Sequence, residues 1–149
     1  MDVLFVNEWE ALKLLDSKSG TPVITAREAK KAAKDLMEKW RSVEMVVVKC
    51  LFGTTLLKRG GDGDEAEQDE QVLLSLPQNS NHDVVDPIGA ADAFPAGFVA
   101  AQARGLELEQ ALLWGYAAGC LSTMKRGAQD SMPRTGSLEH FLAVELAPA

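Results

Sequence analysis

A chain of 149 residues has the length of one domain, enough to bury roughly two-thirds of its unfolded surface. Its formal net charge of −7 argues against non-specific binding to nucleic acid or to an anionic membrane, because both need a basic face. No apolar run reaches about 18 residues and no leader opens the chain, so we expect neither membrane spanning nor secretion. Cys50 and Cys120 lack partners at metal-ligand spacing. They are expected to be buried free thiols, which is typical of a reducing, cytoplasmic compartment.

The first predicted element is a buried parallel strand, the apolar run from Asp2 to Asn7. A helical face built from alanine and leucine follows it. Asn7 then lies near the N-cap of this helix and Glu10 lies three residues further on. This spacing is typical of a capping box, in which case the two side chains need no ligand.

A second helix and two further strands follow. Thr25 and Glu28 form another capping-box pattern, which predicts a helix from Ala26 to Trp40. The apolar runs 44–49 and 54–59 are predicted strands. A strand, a helical crossover and a strand predict a parallel pair with a right-handed connection.

Residues 60–71 form an acidic, glycine-rich segment. Its first carboxylates resemble a calcium loop faintly, but the glycine required at the sixth position is absent. We therefore expect a solvated hairpin tip or a partly disordered insertion. The run 72–76 is predicted to return as a strand, and neither His82 nor His140 has a carboxylate or a second histidine at useful spacing.

The most informative stretch runs from Asp83 to Ala101. Val84 and Val85 predict the end of a strand, Gly89-Ala90-Ala91 a turn, and the small apolar residues beyond them a helix. Free N–H groups at such a helix start, together with the helix dipole, favour a phosphate or a developing negative charge. Asp92 is then either an ordinary acidic residue of the first turn or a base that takes a proton from an attacking hydroxyl.

The remaining pattern predicts a helix from Leu106 to Met124, stopped by Gly127, and a short amphipathic helix from Ser137 to Val144. The small residues of the longer helix permit close packing. The chain has no G-x-G-x-x-G turn after Val6, so a dinucleotide-binding oxidoreductase receives little support.

The stretch Val84-Val85-Asp86-Pro-Ile-Gly89-Ala-Ala-Asp92-Ala-Phe-Pro-Ala-Gly97-Phe resembles the second signature of the PfkB, or ribokinase-like, sugar and nucleoside kinases, D-T-x-G-A-G-D-x-F-x-x-G. The resemblance implies that Asp92 is the catalytic base and that the amides of Gly89, Ala90 and Ala91 form the anion hole. It also implies that Asp86 helps to hold a monovalent cation, with K⁺ as the candidate.

Three other segments extend the resemblance from Asp2 to Pro133 in the family's order. Asn7-Glu-Trp-Glu10 resembles the N-x-x-E motif, which implies that Asn7 and Glu10 support Mg²⁺ and phosphate, largely through water. Gly53 remains from a Gly-x-x-Gly turn that lies near the nucleotide phosphates in the family. Gly127-Ala-Gln-Asp-Ser131-Met-Pro133 resembles the closing G-A-x-x-S-x-P segment, whose backbone completes the cation and adenine surroundings.

The fold implied by this resemblance is α/β, a ribokinase-like three-layer α/β/α arrangement. Its sheet would be mostly parallel with helices on both faces, and residues 1–149 would form one partial domain, incomplete at the N-terminal side. The implied activity is ATP-dependent phosphorylation of a sugar or nucleoside hydroxyl, with ATP, Mg²⁺ and a monovalent cation. The alternative is a truncated, inactive domain that binds a nucleotide or a protein partner.

Three features distinguish this chain from the family pattern. Ala91 replaces a glycine, which costs roughly 1–2 kcal/mol if the backbone there has positive φ and nothing if it is helical. Pro95 predicts a helix that starts late or bends. The chain matches only the family's second half, so we expect missing acceptor contacts and a homo-oligomer formed through exposed apolar sheet surface.

Overall fold

The computed structural model describes residues 2–16, 25–50, 53–60, 70–75 and 83–145. The chain divides into two compact units, Met1–Leu76 and Pro77–Ala149. The N-terminal unit contains β1 (Asp2–Asn7), α1 (Glu8–Leu14), α2 (Ala26–Lys39), β2 (Val43–Cys50), β3 (Gly53–Lys58) and β4 (Glu70–Ser75). The C-terminal unit contains α3 (Ala90–Gln102), α4 (Leu108–Thr123) and α5 (Thr135–Glu145).

The strands form one sheet in the order β1-β2-β3-β4. The predicted parallel pair is confirmed, because β1 pairs parallel to β2, with Val6 opposite Val48. The β2–β3 and β3–β4 pairs are antiparallel, so this described part of the sheet is mixed rather than mostly parallel. Only residues 51 and 52 separate β2 from β3. A parallel crossover needs a dozen residues or more, so this connection allows a hairpin only.

The core of the N-terminal unit lies between the sheet and its helices. Both capping boxes form as predicted, so α1 begins after Asn7 and α2 after Thr25. From Met45 to Val48 every residue of β2 is fully buried, which explains why this strand reads as a continuous apolar run. One buried cluster joins both helices to β1, β2 and β3: Val6, Ala11, Ala29, Ala32, Ala33, Leu36, Met37, Val46, Val48 and Leu57.

In the C-terminal unit, α3 and α4 pack backbone against backbone. A Cβ added to Gly97 would lie 2.7 Å from the carbonyl oxygen of Trp114 and 2.8 Å from the Cβ of Ala118. A Cβ added to Gly115 would lie 2.9 Å from the carbonyl oxygen of Phe94. Real Cβ contacts are longer than these, so only glycine permits this approach.

Several predictions about single segments also have an outcome. The helix expected from Leu106 to Met124 is α4, which ends at Thr123, before Gly127 is reached. The acidic segment 60–71 lies largely outside the described residues, although its last two residues begin β4. His82 and the residues between Cys50 and Gly53 also lie outside them. Neither cysteine is disulfide-bonded, and both are half-buried rather than buried. In the parts of the chain that the structure describes, no helix is long and apolar enough to cross a membrane.

Candidate active site

Asp86 fixes the turn that precedes α3. Its Oδ1 accepts a hydrogen bond from the N–H of Ile88 at 3.0 Å, and its Oδ2 accepts one from the N–H of Gly127, also at 3.0 Å. The bonds from Gly127 and Ile88 hold the pKa of Asp86 below its usual range, and the charge of Arg126 acts in the same direction. The carboxylate therefore ties the start of α3 to the loop after α4, 41 residues further along the chain.

The expected strand at Val84 and Val85 is absent, and this prediction was wrong. The N–H groups of Val85 and Asp86 both donate to the carbonyl oxygen of Thr123, at 2.8 and 3.0 Å. These amides satisfy the last turn of α4 instead of a strand partner. β-Branched residues indicate an extended backbone, but they do not determine which acceptor that backbone finds.

Gly89 is the residue of the turn that must be glycine. It is the N-cap of α3 and has φ of +93°, which a side chain rarely tolerates. A Cβ at this position would lie 3.0 Å from the carbonyl oxygen of Ala128 and 3.2 Å from the Cε of Met132. Gly89 thus brings the head of α3 directly against the loop that follows α4.

Two of the amides at the head of α3 are available to a ligand. The N–H of Ala90 donates to Pro87 at 3.3 Å, and the N–H of Asp92 donates to Gly89 at 3.0 Å. The N–H groups of Gly89 and Ala91 donate no hydrogen bond to any of the described residues. Unbonded amides at a helix start carry the positive end of the dipole, so this position suits an anion.

The two substitutions in this segment do not disturb the helix start. Ala91 is the second residue of α3 and does not have positive φ, so its Cβ carries no conformational cost. Pro95 lies inside α3, which nevertheless begins at Ala90. The expected late start is therefore wrong. The positive φ that the pattern led us to consider at Ala91 occurs instead at Gly89.

Asp92 is in the first turn of α3 and its side chain is exposed, while the next two residues, Ala93 and Phe94, are buried. The carboxylate therefore faces away from the core and is accessible. This position is compatible with both interpretations of Asp92, since an acidic residue here stabilises the helix and can also reach a bound reactant.

The loop between α4 and α5 contains a buried polar side chain, that of Ser131, in the segment for which the family resemblance implied a role of the backbone only. Ser131 is only 2% exposed. Its hydroxyl has no hydrogen-bond partner among the described residues, although its N–H donates to Gly127 at 3.2 Å. A buried hydroxyl without a protein partner is costly, so this oxygen is suited to binding a ligand.

The other predicted site residues lie in the N-terminal unit. Asn7 Oδ1 accepts hydrogen bonds from the N–H groups of Trp9 and Glu10, at 2.9 and 2.8 Å, and Glu10 Oε2 accepts one from the N–H of Asn7 at 2.8 Å. Gly53 begins β3 opposite Cys50. Across the described ranges, no three histidine, cysteine or acidic side chains are grouped as a metal site.

The structure thus brings Asp86, the segment 89–92 and Gly127 together within the C-terminal unit, and Asn7 and Glu10 together within the N-terminal unit. The model of the pfkB family of carbohydrate kinases matches residues 1–135. The chain belongs to this family. Its members include sugar kinases, and the ribokinase-like fold is therefore confirmed.

Individual relatives agree with this family. The chain is 41% identical to ribokinase from Bacillus subtilis over 59 residues, which cover 40% of the chain and 20% of that protein. It is 27% identical to ribokinase from Haemophilus influenzae over 142 residues, which cover 95% of the chain and 41% of the relative. The structure of Arabidopsis thaliana ribokinase complexed with ribose and ATP matches with a TM-score of 0.72 and 29% identity, over 95% of the chain and 41% of the plant protein.

The chain therefore spans about two-fifths, or less, of the length of these pfkB relatives. Within that span, sequence reasoning missed three features of the candidate site. These are the Asp86–Gly127 bond, the acceptor role of Thr123 and the buried hydroxyl of Ser131. The Asp-Pro pair did carry one signal, because aspartate before a turn commonly bonds the amide two residues on.

Proposed function

We propose that the protein phosphorylates a sugar or nucleoside hydroxyl at the expense of ATP. One observation carries the proposal. The amides of Gly89 and Ala91, which have no acceptor among the described residues, lie at the head of α3 in the same turn as the exposed carboxylate of Asp92. Family membership and the likeness to a ribokinase that binds ribose and ATP support it.

Each of these groups has a defined task in phosphoryl transfer. The amides at Gly89 and Ala91 stabilise the negative charge that spreads over the transferring phosphoryl oxygens. Asp92 takes the proton of the acceptor hydroxyl as its oxygen attacks phosphorus. In this proposal, Gly127 contributes backbone to the nucleotide surroundings. The acceptor is a sugar or nucleoside, since the family acts on carbohydrates.

The residues around Asp86 fit a monovalent cation, for which K⁺ is the candidate. The buried hydroxyl of Ser131 lacks a partner within the described chain, and its loop packs against Gly89. The carboxylate of Asp86 accepts hydrogen bonds from the N–H groups of Ile88 and Gly127. An ionised carboxylate has about four lone-pair sites, so these two bonds leave it able to contact a cation as well. A cation held by Asp86 would strengthen the field at the anion site.

Asn7 and Glu10 fit Mg²⁺ only in part. Their capping box uses Asn7 Oδ1 and Glu10 Oε2, which leaves Glu10 Oε1 as the oxygen without a bond in the described residues. Mg²⁺ is usually held by one or two carboxylates together with waters and substrate phosphates. We propose that Glu10, oriented by Asn7, supports Mg²⁺ in this way, and Mg²⁺ would supply charge neutralisation at the phosphates.

The test measures phosphoryl transfer from ATP to ribose, fructose, ketodeoxygluconate and nucleosides, with the chain and its Asp92→Asn variant. We expect the variant to lose at least 100-fold in rate, the usual size of a general-base contribution. Ala96→Ser, an exposed position on the same helix, is the matched control and should retain full activity. Equal rates for the chain and Asp92→Asn would reject Asp92 as the base.

The alternative is an inactive domain that binds a nucleotide or a protein partner. One observation favours it: the Asn7–Glu10 pair is already satisfied as a capping box. Calorimetric titration with Mg-ATP separates the two proposals. Binding without turnover of any acceptor supports the inactive domain.

We also propose that the protein forms a homo-oligomer through the edge of its sheet. β1 is at the edge of the described sheet, and its apolar residues Val3, Leu4 and Phe5 are only half-buried. Edge strands of this kind pair readily with another chain. Light scattering that shows a monodisperse monomer at high concentration would reject oligomerisation through this edge.

A further inference from the structure

Arg104 links three helices of the C-terminal unit, and no part of the proposed chemistry uses it. It follows α3, and its Nη1 donates to the carbonyl oxygen of Ala100 in the last turn of that helix, at 3.1 Å. Its Nη2 donates to Oγ1 of Thr135, also at 3.1 Å. Its guanidinium lies over the ring of Trp114 in α4, 5.0 Å from the centroid.

Thr135 matters because it is the first residue of α5, directly after the closing loop, which is the loop that lies against the head of α3. This loop, residues 124–134, connects α4 with α5. Near its beginning, the N–H of Gly127 donates to Asp86. In its middle, the backbone of Ala128 lies against Gly89. The bond from Arg104 to Thr135 fixes its far end, so the loop is held at both ends.

The chemistry of the Arg104 guanidinium allows it to be held in one position. A guanidinium is a planar fork that can donate to two acceptors while it stacks on an aromatic face. Trp114 supplies a rigid platform, since it is 8% exposed and its backbone touches Gly97. The Arg104 side chain is thus oriented by α3 and α4 before it reaches Thr135.

From these contacts we infer that Arg104 is a positioning residue for the closing loop. By holding Thr135 it keeps the Asp86–Gly127 bond formed and keeps the Ser131 hydroxyl in its buried place. The functional part of this inference rests on the proposed cation site, whereas the structural part does not.

The decisive variant is Thr135→Val, which keeps the shape of the side chain and removes the acceptor oxygen. Thr135→Ser keeps the hydroxyl and is the matched control. Amide hydrogen exchange is measured at Gly127 and Ser131, with Ala111 in α4 as the internal reference. We expect exchange at Gly127 and Ser131 to accelerate about fivefold in Thr135→Val, as for the loss of one ordinary hydrogen bond, with Ala111 unchanged. Thr135→Ser should restore the original rates.

A second measurement asks whether the loop affects cation binding. The rise of Tm with KCl is titrated at constant ionic strength, and the midpoint should move about fivefold higher in Thr135→Val and in Arg104→Lys. Arg104→Lys keeps the charge but not the fork, so agreement between the two variants assigns the effect to their shared bond.

The outcomes are distinguishable. Selective acceleration at Gly127 and Ser131, with the shifted midpoint, supports the inference. Unchanged exchange at these amides, or equal acceleration at Ala111, would overturn it. If the original chain shows no response to KCl while the exchange effect is selective, the proposed cation site is rejected and the positioning role of Arg104 stands.

Discussion

Replacement of Gly89 by alanine tests the central contact of the site, between the head of α3 and the closing loop. The positive φ of +93° makes any Cβ cost roughly 1–2 kcal/mol. The same Cβ would meet the Ala128 carbonyl oxygen at 3.0 Å and the Ala128 Cα at 3.1 Å. Backbone atoms cannot move aside as a flexible side chain can, so crowding adds roughly 1–3 kcal/mol. We expect Gly89→Ala to lower the free energy of unfolding by about 2–5 kcal/mol.

Two other glycines of the same unit are matched controls. Gly105 has φ of +76° but no atom within 4 Å of its added Cβ, so Gly105→Ala should show the conformational cost alone. Gly136 has neither feature, and Gly136→Ala should stabilise α5 by up to about 1 kcal/mol. Urea denaturation of the three variants gives the free energies. If Gly89→Ala costs no more than Gly105→Ala, the loop is not held against the turn and the crowding argument fails.

Three further predictions follow from the same unit and from β2. Ala91→Gly should restore the family residue yet lower the free energy of unfolding by about 0.5–1 kcal/mol, because Ala91 is already helical; a gain in stability on urea denaturation would contradict this. Because the pKa of Asp86 is depressed, the stability that this carboxylate contributes is complete above its ordinary pKa of 3.8 and is lost as pH falls through the pKa of the folded state. Asp86→Asn should therefore flatten the acid side of a profile of folding stability against pH. A profile as steep as that of the original chain would count against the bonds to Ile88 and Gly127. Burial raises the pKa of Cys50 from 9.0 to about 11, and the negative charges of Glu8 and Glu28 act in the same direction. Iodoacetamide at pH 8 should therefore alkylate Cys50 about 100-fold more slowly than an unperturbed thiol. Equal rates would show that the thiol is not desolvated.

The fold of the N-terminal unit was readable from local chemistry. Capping boxes at Asn7 and Thr25 place both helix starts, and the apolar runs place the strands, because these signals act over three or four residues. The antiparallel return of β3 was not stated from sequence, although a connection of two residues requires it.

The candidate site was only partly readable. The position of Asp92 in the first turn of α3 follows from spacing and is confirmed. The Asp86–Gly127 bond joins residues 41 positions apart, and no periodicity reveals such a partner. Val84 and Val85 were misassigned for the same reason, since their surroundings are set by the end of α4. Site residues that act through distant backbone atoms need the tertiary structure to be recognised.

The glycine contacts between α3 and α4 have a mechanical consequence. Side chains that interdigitate can exchange rotamers and let two helices shift, but main chains in direct contact at Gly97 and Gly115 leave no such slack. We therefore expect α3 and α4 to move together as one rigid unit. A displacement of Arg104, which stacks on Trp114 beyond the C-terminal end of α3, would then shift the head of α3 as well.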